Sequence, residues 1–416
     1  TGVSAVLRRE LTSEFEPART GHSVIPNHLL YLMALTCALA VSTIYYHQPL
    51  LAQMAASFGV LPAHGSVIAT LTQLGYAAGL LLLVPLGDRF QARHLTSLAI
   101  AANALALLAC AVAPTFPILL ASSFAVGITA ITAQIIIPAV TGLVPPDKRG
   151  QVAGWLLRGL SSGLLLARTL SGFVGSHLNW RDVFVLAAVL DLALLAIVQL
   201  SLPRSTGLVA VRYGDLMRSL ATLAMAQPLL RLSAVTGFLM FAAFSALWSS
   251  LALLLAAPPY EYGPAAIGAF GLVAVAGIVL SPRIGATVDR LGPSRMVSIG
   301  AILVALAFLL VTLSGRSLVW LVVAMVVLDL GNRVGLVANQ ARIYTLHSEA
   351  RSRLNTVFIV SFFLGGSVGS AMGGYAAHHG GWLGLAAVGV ALALAAAVAN
   401  TFALRVQRSP GAREGA

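Results

Sequence analysis

Charge is what this sequence lacks. Only 9% of its 416 residues are Asp, Glu, Lys or Arg, while 58% are hydrophobic and the mean hydropathy is +0.91. A soluble domain carries about 25% charged residues, so water cannot be the main solvent of this fold. Cysteine is nearly absent too: Cys37 and Cys110 both fall inside apolar runs, which excludes a disulfide framework and reads as small core residues. No GxxxxGK[ST] loop is present, so nothing points to ATP drive. No HExxH pair or histidine cluster suggests a membrane enzyme, and His378-His379 reads as a solvated loop doublet. Neither a cofactor nor a metal is expected. Alternating segments of about ten residues, the mark of a membrane barrel, are missing as well. Acidic residues number 13 against 25 basic ones, a net charge of +12. The basic residues stand singly or in pairs at the ends of apolar runs, never as a stripe with interleaved aromatics, so no nucleic-acid partner is expected.

What is there is a series of apolar runs of about 20 residues, the length that crosses a bilayer as a helix. They predict an all-α membrane protein with twelve transmembrane helices, at 29–54, 66–86, 94–113, 117–141, 152–175, 181–202, 229–256, 264–286, 294–314, 317–344, 354–377 and 381–404. An even number puts both termini on one face. That face gathers Arg8, Arg9, Arg89, Arg93, Lys148, Arg149, Arg218, Arg290, Arg295, Arg351 and Arg353, whereas the opposite loops offer little beyond Arg181 and Arg316. By the positive-inside rule both termini and the 203–228 loop are cytoplasmic. The expected organisation is a tail at 1–26, a six-helix half at 27–202, a linker at 203–228, a second half at 229–405 and a tail at 406–416. The N-terminal stretch has no apolar core of signal-peptide type.

The halves repeat. LGDRF after the second run answers TVDRL after the eighth, with Asp88 and Asp289 separated by 201 positions. Arg149 and Arg351, Gly163 and Gly365, Gly172 and Gly374, and Trp180 and Trp382 are each 202 apart. Six spans per repeat insert both halves in the same orientation, related by an axis along the membrane normal.

Two motifs carry a family resemblance. GATVDRLG at 285–292, followed by Arg295, has a Gly, three residues, Asp-Arg, one residue and a Gly; the first-half copy VPLGDRFQARH at 84–94 keeps Asp88, Arg89 and Arg93 but has Val84 and Gln91 for the glycines. On the fifth span, Gly154, Gly163, Ala167-Arg168 and Ser171-Gly172 keep the spacing of an antiporter motif, with Ala-Arg for its Gly-Pro and Ser-Gly for its Gly-Gly. The chain thus resembles a major facilitator superfamily transporter over about residues 27–405, and among these the drug/proton-antiporter-like exporters. YYHQPLL at 45–51, NQARIYTL at 339–346 and RSRLNT at 351–356 resemble a bacterial exporter subgroup. The fourth-span motif departs from the family, with Ser123 where an arginine is usual. The resemblance implies that Asp88, Arg89, Arg93, Gly285, Asp289 and Arg290 form a cytoplasmic gate, and that the first, fourth, seventh and tenth spans surround a cavity. An Asp at a helix end can accept N–H bonds from a neighbouring helix and pair with Arg; the alternative is that these charges only fix topology. Gly154, Gly163 and Gly172 suit close helix packing in either case.

Charges inside the spans point to mechanism, since each costs about 2.5–3.5 kcal/mol or more at a helix centre unless paired or wetted. Arg158 and Arg168 lie on the fifth span, Asp191 on the sixth, and Asp329 and Arg333 one turn apart on the tenth. Asp329, Arg333, Asp191 and His47 are the candidates for proton coupling. Asp329 with Arg333 is otherwise a neutral structural pair, and His47 otherwise a surface histidine. Arg168, Arg158, Tyr45, Tyr46, Gln134, Trp248, Asn332, Asn339 and Gln340 are the candidates for the substrate cavity, Arg168 being otherwise a packing residue. Aromatic walls with few polar groups suit amphipathic organic solutes better than sugars, and three embedded arginines against two aspartates lean toward a neutral or anionic one. The expectation is a monomeric, proton-coupled secondary transporter in the bilayer exporting small amphipathic compounds. The alternative is a proton- or sodium-coupled importer of an organic acid or other nutrient.

Overall fold

The computed structural model describes residues 26–203, 212–346 and 351–408. The expected tails lie outside these residues, apart from Pro26 and the helical turns ending at Arg408. Every described regular element is a helix, as lipid requires of a chain whose backbone groups must be satisfied within each segment. Eight helices are each long and apolar enough to cross a membrane, and a ninth counts if one bent pair is a single span. One of the eight, Arg351–Leu404, turns back at Gly381, whose φ of 54° breaks it into the eleventh and twelfth runs. The first run is a shorter helix, Asn27–Ser42, and the fifth is the charged helix Pro146–His177.

Local chemistry sets the boundaries. Proline opens the helices Pro228–Ala256, Pro264–Ala269 and Pro293–Val311 at the first position, where its missing N–H costs nothing. Asn179 caps Trp180–Ser201 in a capping box with Asp182. Gly292, at φ 85°, turns the chain between the eighth and ninth spans, which is the work of the last glycine in GATVDRLG. The first span is not the continuous helix expected over 29–54. It stops at Ser42, passes through turns to a 3₁₀ segment at Gln48–Leu50 and resumes at Leu51–Ser57. Pro49 explains this, because its ring opposes the carbonyl four residues back, on Tyr45. The eighth span also relaxes, into a 3₁₀ turn at Phe270–Val273.

The linker is not plain coil. It contains the helix Tyr213–Ala226, whose Tyr213 hydroxyl donates to the Leu82 carbonyl at 2.9 Å. The face bearing this helix is the linker end below, and its opposite the far end. At the far end the halves meet through two matched contacts. Gly172 of the fifth span lies against Pro264 and Gly268 of the eighth, and Gly374 of the eleventh lies against Ala63 and Ser66 beside the second. A Cβ at either glycine would collide with its neighbours, so both must be glycine for the spans to approach this closely.

Candidate functional site

A cavity of about 500 Å³ opens between the halves at the linker end, within the range of sites for small organic molecules. Val84, Pro85, Ile135 and Pro138, with Leu216 and Leu220 of the linker helix, form its apolar wall; Gln134, Thr141, Ser352, Arg353, Asn355 and Thr356 supply polar groups. Gln134 donates to the Tyr76 hydroxyl at 3.3 Å. Gln340 and the Tyr344 hydroxyl both donate to Asn355 Oδ1, at 3.0 and 3.1 Å, which fixes that amide in the wall.

Beyond the cavity the seam is closed. Gln73 of the second span donates to Ser370 Oγ at 3.1 Å and accepts from Ser245 Oγ at 3.3 Å, tying the first half to the seventh and eleventh spans. Ser367 Oγ donates to the Thr70 carbonyl at 2.9 Å, and Thr169 Oγ1 to the Gly268 carbonyl at 3.1 Å. Arg168 completes the closure. Its guanidinium lies 3.9 Å from the Trp248 ring of the second half and 4.8 Å from the Tyr45 ring of the first, and its Nε donates to Gln48 Oε1 at 2.5 Å. Cation–π contact of this kind, away from water, contributes about 2 kcal/mol or more. The break in the first span matters here, since it brings Tyr45 and Gln48 to the same guanidinium.

Asp329 and Arg333 make the one ion pair among the described residues, Arg333 Nε to Asp329 Oδ2 at 2.7 Å. Gly277 of the eighth span leaves room for the pair, as a Cβ there would strike both side chains. Asp329, Arg333 and Arg168 interact electrostatically and so form one charged layer.

Several expected residues sit elsewhere than the sequence suggested. His47 is no surface histidine: it is 2% exposed and its Nε2 has no hydrogen-bond partner among the described residues. Of the cavity candidates, Gln134 lines the open cavity and Gln340 braces it through Asn355. Arg168, Tyr45 and Trp248 are packed into the seal instead, and no aromatic residue is among the described residues that line the cavity. Tyr46 is buried against the fifth and sixth spans. Arg158 is exposed, with its guanidinium 5.2 Å from the Trp155 ring. Asn332 is buried with Oδ1 unpartnered among the described residues, and Asp191 is buried with Oδ2 likewise. Of the loop motifs, Asp289 and Arg290 are exposed, Gly285 has open space around it, and Arg93 donates to Gln199 Oε1. Arg89 is exposed beside Phe90. The Asp88 side chain lies outside the described ones. Gly163 packs on Ala38 of the first span, while Gly154 faces open space, so close packing does not account for it.

Sequence reasoning missed Arg342, a fourth embedded arginine. It is completely buried and donates to Ser233 Oγ at 2.9 Å, Asn400 Oδ1 at 2.6 Å, Asn339 Oδ1 at 2.6 Å and Thr236 Oγ1 at 3.3 Å. Asn400 in turn donates to the Ser294 carbonyl and Ser298 Oγ, both at 2.8 Å. One guanidinium thereby joins the seventh, tenth and twelfth spans, with the ninth held through Asn400. Asn339 belongs to this cage and not to the cavity.

Two helical halves around a one-sided cavity, with polar groups and an ion pair buried along their seam, define a membrane transporter. The family model of the Major Facilitator Superfamily matches residues 30–212 and 233–416, and the chain belongs to that superfamily. It is 37% identical to the Escherichia coli O157:H7 uncharacterized transporter YgaY over 374 residues, covering 89% of this chain and 95% of that one. A Streptomyces coelicolor protein described as a probable transporter is 36% identical over 379 residues, covering 90% of this chain and 87% of that one. Among solved structures, a bacterial homologue of the human lysosomal transporter Spinster, inward-facing and occupied, shares the fold with a TM-score of 0.73 at 15% identity, covering 93% of this chain and 97% of that chain. A peptide transporter, POT, in complex with sulfate shares it with a TM-score of 0.68 at 16% identity, covering 91% and 94%.

Proposed function

We propose that this secondary transporter couples protons to the export of small amphipathic organic compounds, working as a monomer in a bacterial inner membrane with both termini and the linker in the cytoplasm. The observation that carries the reading is the one-sided cavity: it opens at the linker end, under a far end closed by bonds between the halves. The arginines gathered at the linker end support a cytoplasmic assignment for it. An apolar wall with a few amide and hydroxyl groups suits an amphipathic solute. Alternating access then requires the seal to part while the linker end closes, and the exposed Asp289 is free to latch that end when it does.

Coupling rests on the Asp329–Arg333 pair. While paired, the two charges neutralise each other. A rearrangement that separates them leaves a buried carboxylate, whose uncompensated charge a proton removes. Asp329→Asn should therefore abolish gradient-driven flux while leaving substrate binding and counterflow exchange. Loss of binding as well would make the pair structural.

Arg353 in the cavity wall favours a second reading, a proton- or sodium-coupled symporter importing an organic acid. One experiment separates the two. Purified protein in liposomes of known orientation, offered a panel of neutral and acidic amphipathic compounds, should move solute toward the far side when that side is made acidic. Accumulation on the linker side under the same gradient would establish import, and no flux of any panel compound would overturn the transport reading.

A further inference from the structure

Arg168 is a buried cation whose direct contacts are two aromatic rings, an amide oxygen and the Leu164 carbonyl. Asp329, in the same layer, already gives its Oδ2 to Arg333. With that pair neutral, the layer carries one surplus positive charge. Holding a guanidinium 4% exposed without a bonded carboxylate is costly, and packing alone would have been served by an apolar side chain.

The rings around it are not isolated. From Trp248 the seam continues through Phe244, at 6.2 Å between centroids, to Phe241 at 5.6 Å. Phe241 stacks on Phe362 at 3.9 Å and meets Phe363 edge-on at 5.2 Å, and Phe363 meets Tyr76 at 4.5 Å. Tyr76 belongs to the first half and accepts from Gln134 in the cavity wall. A ladder of aromatic faces therefore runs across the seam from beside Gln134 in the cavity wall to the Arg168 guanidinium.

We propose that this ladder with Arg168 is the substrate site, and that its ligand class is aromatic carboxylates. The inference rests on the transport reading, because Arg168 and Trp248 belong to opposite halves and part only when the far end opens. Parting removes the Trp248 face from the guanidinium and frees ring faces along the seam. A planar ring bearing a carboxylate replaces both losses at once: the ring stacks where Trp248 or Phe363 had a partner in the other half, and the carboxylate takes the bidentate bond that the guanidinium lacks in the closed state. The ligand's charge also cancels the surplus in the layer. A neutral aromatic satisfies only the first requirement, and an aliphatic acid only the second.

The test uses 2-naphthoate as the probe, with 2-naphthalenemethanol and cyclohexanecarboxylate as controls, on the purified full chain in detergent and in liposomes. Naphthoate should bind at least tenfold more tightly than either control, and should raise labelling of Ser370→Cys from the far side. Arg168→Gln should weaken naphthoate binding at least tenfold and leave naphthalenemethanol unchanged. Arg168→Lys, which keeps the charge and loses the planar fork, should fall between wild type and Gln; it also decides the matter if the Gln variant does not fold. Equal binding of acid and alcohol, or undiminished naphthoate binding by Arg168→Lys, would overturn the assignment. Counterflow of other panel compounds without naphthoate binding would sink this inference and leave the transport reading standing; absence of all gradient-driven flux would sink that reading instead.

Discussion

The same place in the two halves is filled by opposite chemistry. In the second half, Arg342 and Asn400 meet in a fully buried polar cage with Asn339 and Thr236. Counting back 202 positions gives Val140, Val198, Ile137 and Ala34 in the first half, and these belong to one apolar cluster around Met33 and Cys37. At the far end the halves instead agree, with Gly172 and Gly374 each receiving the opposite half in the same register. The repeat therefore preserves backbone approach and leaves side-chain chemistry free. A buried position accepts either solution, provided that an apolar one fills its space and a polar one finds every partner.

Exchanging the two solutions is the strongest way to break this comparison. Val140→Arg puts a guanidinium among Met33, Cys37 and Val198 with no acceptor prepared for it. By analogy with an uncompensated buried charge, the expected cost is about 3–5 kcal/mol, read as failure to purify a folded monomer. The reverse change, Arg342→Val, orphans Asn400 Oδ1 at about 1–3 kcal/mol and leaves a space where the guanidinium was, and thermal unfolding in detergent should show a clear drop. Adding Asn400→Val to Arg342→Val copies the apolar pair and should recover part of that loss. A double variant less stable than the single one would mean that the cage works through something other than satisfied partners. The smallest effect belongs to the exposed loop charge. Asp289→Asn should shift the resting population about tenfold toward the state open at the linker end, the consequence of removing about 1.4 kcal/mol from the closed one. Accessibility of Thr356→Cys from that side reads the shift, and unchanged labelling would leave Asp289 a topology marker.

Much of the fold was legible because its causes are local. Apolar length gave most of the spans, and equal spacing of Gly172 and Gly374 exposed the repeat. Partners were less legible, since helical periodicity says which residues share a face and not what that face meets. Gln73 carries no motif or spacing that marks it in the sequence, yet it bonds both Ser245 and Ser370 across the seam. Arg342 stood two residues from the expected end of its span, where a long basic side chain ordinarily reaches out to the interface. The signal that could have found it was the company it keeps: Asn339 one turn before it, and Asn400 deep in an otherwise apolar run. The displacement of Arg168, Tyr45 and Trp248 from cavity to seal has another origin. A sequence describes every conformation of a transporter at once, whereas a structure holds one of them.

The account stands or falls on the two ends moving in opposition, and Gly172→Leu tests this without any ligand. Its side chain cannot fit against Pro264 and Gly268, so it should hold the far end open. In membranes carrying Ser370→Cys or Thr356→Cys as the reporter, the native Cys37 and Cys110 are buried and give a quiet background. Labelling of Ser370→Cys from the far side should rise, and labelling of Thr356→Cys from the linker side should fall by a similar factor. A rise at Ser370→Cys with Thr356→Cys unchanged would contradict alternating access through this seam.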